Sequence, residues 1–182
     1  TCVSGSFVSL GEKILAGAGV RIALVAGNRD ALQETADACS ALGAETLSIN
    51  RRPTDEVTCE AIIADTVAAF GRVDVLCNNA GVSTRANLLD GSLDDVRLEM
   101  ETHYFGTLQV IRAFAPIIER NGGGRILNVL SVLSWAHPQS SGAYAAAKAA
   151  SWAMTDAVRE ELAPKGIHVT ALHVGYMDTD MV

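Results

Sequence analysis

Tyr144-Ala-Ala-Ala-Lys148 is the segment with the most chemical content in this sequence. Two side chains four residues apart share one face of an α-helix. A free phenol, with a pKa near ~10, is a poor base at neutral pH. A cation within ~4–6 Å favours phenolate and lowers that value. The spacing therefore offers a tunable proton donor or acceptor. Ser131 ends a predicted strand, and a hydroxyl there could bond a carbonyl oxygen. Active-site groups of open α/β sheets gather at the carboxyl ends of strands. Ser134 offers the same group nearby. Gly5-Ser6-Phe7-Val8-Ser9-Leu10-Gly11 follows a short apolar run and opens a helical pattern. Such a turn lets backbone approach a pyrophosphate at a helix N-terminus, although an ordinary tight turn has the same composition. Asn78-Asn79-Ala80-Gly81 reads as a polar turn, since Asn and Gly tolerate left-handed backbone.

These groups need a scaffold, and its period is legible. Apolar, β-branched runs at 1–4, 20–26, 45–50, 73–78, 125–131 and 167–174 predict six strands. Helical patterns fill 10–18, 29–42, 54–70, 93–120 and 143–162. Gly43, Gly71, Gly122 and Gly166 stand where those helices should stop. Strand–helix alternation with near-continuous apolar strands predicts an α/β fold with a parallel sheet covered on both faces. Right-handed crossovers make it doubly wound and Rossmann-like. No linker or shift in composition divides the chain, so one domain over 1–182 is expected, with its chemistry at 131–148. Few residues precede Gly5, and few follow the sixth strand, which reads as a fragment or a differently closed sheet edge.

Composition excludes other classes. Hydrophobic residues make up 49% of 182 and charged residues 19%, which is a folding composition. A net charge of −7 argues against a nucleic-acid partner. Cys2, Cys39, Cys59 and Cys77 form no Cys-x-x-Cys pair, and the four histidines no HExxH group, so no metal is expected. No run approaches the ~18 residues of a membrane span, and no leader pattern opens the chain. A cytoplasmic location is expected.

Taken together, the segments resemble the short-chain dehydrogenase/reductase family. Ser4-Gly5-x-x-x-Ser9-Leu10-Gly11 is similar to its Thr-Gly-x-x-x-Gly-Ile-Gly turn, Asn78-Asn79-Ala80-Gly81 to its Asn-Asn-Ala-Gly motif, and Ser131, Tyr144 and Lys148 to its Ser and Tyr-x-x-x-Lys. His173-Val174-Gly175 with Thr179 looks like its Pro-Gly-x-x-x-Thr stretch. The resemblance implies an NAD(P)-dependent oxidoreductase that moves a hydride between nicotinamide and an alcohol or carbonyl. Tyr144 would be the acid/base. Lys148 would hold the nicotinamide ribose and lower the Tyr144 pKa, and Ser131 would orient the carbonyl. Gly5, Ser9, Leu10, Gly11, Asn78, Ala80, Gly81 and Thr179 would border the cofactor.

The family's middle glycine is Ser9 here. Its adenine-contacting Asp is Arg52, its fourth catalytic residue, an Asn, is His103, and its loop proline is Val174. Imidazole shuttles protons, so His103 is kept as a catalytic candidate. The family normally continues past 182 with a further helix and a last strand. No acid occupies the end of the second strand, whereas Arg29 and Arg52 suit a 2′-phosphate, so NADP is expected, with NAD the alternative. Val82, Ser83, Val132, Leu133, Ser134, Trp135 and His137 are expected on the substrate side. In the family the two long helices form a dimer contact, so a homodimer is expected. The competing readings are a non-catalytic module of the same fold and a nucleotide-sugar epimerase or dehydratase; the latter class usually carries a larger substrate domain.

Overall fold

The computed structural model describes residues 2–3, 16–53 and 55–175. Its strands are β1 (Cys2–Val3), β2 (Ile22–Val25), β3 (Thr46–Ile49), β4 (Val75–Asn78), β5 (Gly124–Ser131) and β6 (Ile167–Val174). Its main helices are α1 (Arg29–Ala41), α2 (Glu56–Phe70), α3 (Leu93–Met100), α4 (Thr107–Arg120) and α5 (Gly142–Leu162). All strand pairings are parallel, in the orders β1-β2-β3 and β4-β5-β6. β1 lies beside β4, which brings the two groups into one 3-2-1-4-5-6 succession. The fold is the predicted Rossmann-like α/β architecture.

The four residues of β2 show why both faces are covered. All are buried, and they alternate between two cores. Ala23 and Val25 join Ile62, Leu76, Phe114 and Ile126 on one side of the sheet. Ile22 and Leu24 pack with Leu32, Ala36 and Cys39 on the other. A strand with no solvent face must be apolar throughout. The first three helices start where short polar side chains satisfy their first N–H groups. Asn28 caps α1 through Asp30 and Ala31, Asp55 caps α2 through Thr58, and Ser92 caps α3 through Asp94.

One prediction needs correction. The pattern at 93–120 reads as one α-helix, but a π-helical segment, Glu101–Gly106, separates α3 from α4. A π segment widens the turn and is common at functional sites. Here it turns His103 inward, as described below. Periodicity does not reveal it, because the flanking stripes continue on both sides.

Register gathers the chemistry. β4 pairs with β5 from Val75↔Arg125 to Asn78↔Asn128, and β5 with β6 from Gly124↔Ile167 to Ser131↔Val174. Asn78 and Ser131 therefore end adjacent strands at the same edge. At the opposite edge, Gly123 has φ +100°, and an added Cβ would strike the Gly166 carbonyl oxygen. Gly122, at φ +93°, faces open space. Gly123→Ala should therefore destabilise the chain by roughly 2–4 kcal/mol and Gly122→Ala by only ~1 kcal/mol. Urea denaturation of the two variants checks this, and equal losses would contradict it.

Candidate active site

The site starts from Ser131, Tyr144 and Lys148. Ser131 is buried at the end of β5, and its Oγ accepts from the Leu133 N–H at 3.1 Å. Tyr144 lies in the first turn of α5, where the Ser131 side chain is near enough to lower its pKa. Lys148, one turn further, places Nζ 5.6 Å from the centre of the Tyr144 ring. The residue is 6% exposed, and its ammonium donates to the Val129 carbonyl at 2.9 Å. That bond uses one of its three N–H groups. Ser134 is different. Its hydroxyl is buried and donates to the Lys148 carbonyl, so it fastens the turn Val132–Ser134 to α5.

Burial sets the proton chemistry. It pushes the Lys148 ammonium down to about 8, with the Glu99 carboxylate pulling the other way. Tyr144 is held above the ordinary phenol value, first by burial, with Ser131 lowering it and Glu99 raising it. The expectation that Lys148 lowers this phenol is thus not what governs the described arrangement. Lys148 is itself buried and turned toward Val129, and desolvation of the phenolate outweighs the nearby charge.

His103 is 2% exposed in the π segment. Its Nε2 lies 2.9 Å from the Val82 carbonyl and 3.2 Å from Glu99 Oε2. Its ring meets Tyr144 edge-on, with centres 5.2 Å apart. Burial lowers its pKa, Glu99 opposes this, and Lys148 adds to the fall, so the ring is neutral.

A polar chain that the sequence reading missed ties the strand ends to this segment. Asn78 Nδ2 donates to Asn128 Oδ1 at 2.8 Å, and Asn128 Nδ2 to Thr155 Oγ1 at 3.0 Å. Thr155 donates to the Ser151 carbonyl, and the Ser151 hydroxyl reaches the His103 carbonyl at 2.8 Å. Asn128, Ser151 and Thr155 are buried. Polar residues at core positions of otherwise apolar elements were the signal that could have found them. Glu99 was also missed, although an acid four residues before His103 is visible on a helix.

Of the residues expected near a cofactor, Arg52 lies across Gly27, just past β2, where its side chain fills the space a Cβ would need. Arg29 is exposed at the first position of α1. Ala80 is exposed and Gly81 half-buried in the loop after β4. Gly5, Ser9, Leu10, Gly11 and Thr179 lie outside the described residues. On the substrate side, Trp135 is 52% exposed and stacks on His173 at 4.2 Å, with Trp152 edge-on to both. His173 Nδ1 sits 3.2 Å from the Ser131 carbonyl. Val132 and His137 are exposed, and Val82, Ser83 and Leu133 half-buried. Among the described residues, no helix is long and apolar enough to cross a membrane. No group of three or more His, Cys, Asp or Glu is placed to hold a metal.

A strand-end serine, a tyrosine and a lysine on one helix, set on this succession of strands, belong to a known class. The chain is a member of the short-chain dehydrogenase family, whose model matches residues 2–182. It is 33% identical over 192 residues to dehydrogenase/reductase SDR family member 7B of Danio rerio, covering 98% of this chain and 61% of that protein. The Bos taurus counterpart is 30% identical, with 98% and 58% covered. The chain thus spans about three fifths of these relatives. An uncharacterized oxidoreductase of Staphylococcus epidermidis is 31% identical, with 98% and 78% covered. Among solved structures, a short-chain type dehydrogenase/reductase from Mycobacterium marinum superposes with a TM-score of 0.92 at 28% identity, covering 100% of this chain and 74% of that one. NAD+-bound xylitol dehydrogenase superposes at 0.91 with 30% identity, covering 97% and 69%.

The Lys148 pKa has a consequence for stability. An ordinary lysine titrates near 10.5, and this one at about 8 in the folded chain. Between those values the unfolded chain binds more protons, so this group's contribution to stability rises with pH. Burying the charge is costly below about pH 8, and that cost is gone by about 10.5. The stability of Lys148→Met relative to wild type should therefore be greater at pH 7 than at pH 10, by on the order of 2 kcal/mol. Chemical denaturation at the two pH values tests the sign, and a difference of the opposite sign contradicts it.

Proposed function

We propose that this chain is the dinucleotide-binding and catalytic domain of an NAD(P)-dependent oxidoreductase acting on an alcohol or carbonyl substrate. The observation that carries the reading is the Lys148 ammonium. It is nearly buried beside Tyr144, yet it uses only one of three N–H groups on the protein. The two remaining directions suit the paired hydroxyls of a ribose. The nicotinamide, when bound, supplies or takes the hydride. Tyr144, held above the ordinary phenol range, keeps its proton at neutral pH and donates it to the substrate oxygen during reduction. Ser131 offers its hydroxyl to the same oxygen and fixes its orientation. His103 is a neutral wall against the Tyr144 ring, and its Nδ1 is a buried acceptor with no protein partner.

Arg52 across Gly27 and the exposed Arg29 support NADP over NAD. A guanidinium at this strand end pairs with a 2′-phosphate, and an acid there would repel it. Ala80 and Gly81 suit close approach of a flat ligand. The exposed Trp135 ring beside Ser131 favours an apolar or aromatic substrate. The cytoplasmic assignment stands as part of the same reading.

The test is NADPH binding followed by turnover on a panel of carbonyl compounds. Tyr144→Phe should lower kcat by roughly 10²–10⁴ while leaving NADPH affinity within about twofold. Arg52→Ala should weaken NADPH roughly tenfold and leave NADH nearly unchanged. No binding of either dinucleotide would leave a non-catalytic module of the same fold as the better reading. The groove between α4 and α5, lined by Tyr104, Leu108, Ala115, Met154 and Leu162, supports a homodimer through the two long helices. Light scattering at micromolar concentration should give twice the chain mass, and a monomer counts against this contact.

A further inference from the structure

Glu99 is the one fully buried carboxylate among the described residues, and the chemistry above does not use it. Its Oε1 accepts from the Thr84 N–H at 2.6 Å and the Thr84 hydroxyl at 2.9 Å. Its Oε2 lies 3.2 Å from His103 Nε2. The N–H of that nitrogen is directed chiefly at the Val82 carbonyl, so Oε2 has only a share of it. Burial alone would raise the Glu99 pKa, but the His103 and Thr84 contacts reverse this and bring it below the ordinary value. The group is therefore an anion, anchored on one oxygen and under-satisfied on the other. Buried charge of that kind is felt strongly by its neighbours.

We propose that Glu99 is a positioning residue of this site: its buried carboxylate, anchored by Thr84 and set beside His103, is the fixed negative charge behind the Tyr144–Lys148 pair. It acts through two routes. Mechanically, it joins α3 to the loop that follows β4 and braces His103 against the Tyr144 ring. Electrostatically, it favours the protonated form of both Tyr144 and Lys148. Such a charge keeps the phenol protonated and the ammonium charged to higher pH, while making Tyr144 a weaker acid. Among the described residues, the other titratable groups around the pair are His103 from the π segment, neutral through burial, and His173 from β6, whose Nδ1 lies 3.2 Å from the Ser131 carbonyl. Neither is an acid, so among the described residues Glu99 is the anion acting on both. The inference rests on Tyr144 and Lys148 being the proton-transferring pair.

The experiment titrates Tyr144 directly. Tyrosinate absorbance is followed in wild type, Glu99→Gln and Glu99→Asp, each with Tyr144→Phe subtracted to remove Tyr104 and Tyr176. Glu99→Gln should move the Tyr144 midpoint down by at least about half a pH unit, and Glu99→Asp should leave it near wild type. The alkaline limb of kcat for carbonyl reduction should move down in parallel, with NADPH affinity held within about twofold. An unchanged midpoint in Glu99→Gln, or an equal shift in Glu99→Asp, overturns the assignment. If Glu99→Gln does not fold by circular dichroism, Thr84→Val, which removes the hydroxyl donor that holds the Glu99 carboxylate, takes its place. A Tyr144 midpoint moved down supports the proposal, and an unchanged midpoint overturns it. A shifted midpoint without turnover in wild type fails only the oxidoreductase reading. Turnover with an unshifted midpoint fails only the role of Glu99.

Discussion

An ammonium held almost out of water beside a phenol is the constraint around which this end of the molecule is built. Lys148 is 6% exposed, and burying a charge is tolerated only where acceptors or countercharges meet it. The Val129 carbonyl meets it directly at 2.9 Å, and Glu99 meets it through the field. Both depend on exact seating of elements far apart in sequence. Val129 is presented only if β5 keeps its register with β4 and β6, and Lys148 reaches it only if α5 docks against that strand. Displacing either element would leave an unpaired charge in a low-dielectric site.

That dependence explains the polar interior around the pair. Buried amides and hydroxyls cost stability unless each finds a partner. Asn78, Asn128, Thr155 and Ser151 satisfy one another in series, ending on the His103 carbonyl. The series crosses from β4 through β5 and α5 to the π segment, so it fixes relative positions that apolar packing alone would leave adaptable. The π-helical turn is part of the same arrangement. It turns His103 inward, where Nε2 meets Val82 and Glu99 and the ring stands nearly perpendicular to that of Tyr144. The candidate side chains thus rest on helices and strands, beside the loops that follow β4 and β5.

Much of this was legible in the chain. The six strands and the longer helices followed from apolar periodicity, because a strand buried on both faces has little choice of residue and a packed helix must repeat its stripe. Ser131 and the Tyr144–Lys148 spacing were also legible, since four residues on a helix bring two side chains to one face whatever surrounds them. The same reasoning could not separate Ser131 from Ser134, which share a composition and a neighbourhood. Only the fold shows one hydroxyl beside Tyr144 and the other buried against the backbone of α5.

The sequence by itself therefore determined the architecture, the family and the spacing of the candidate side chains, because these depend on local pattern and on which residues water rejects. Tertiary structure alone decided the electrostatics. Whether Tyr144 sits above or below an ordinary phenol, and which way Lys148 points, depends on burial and on charges brought near from other elements. It also decided that Glu99, an unremarkable acid in a helical stretch, is buried without water around it. Desolvation and through-space charge are properties of three-dimensional neighbourhoods, and a linear pattern does not encode them.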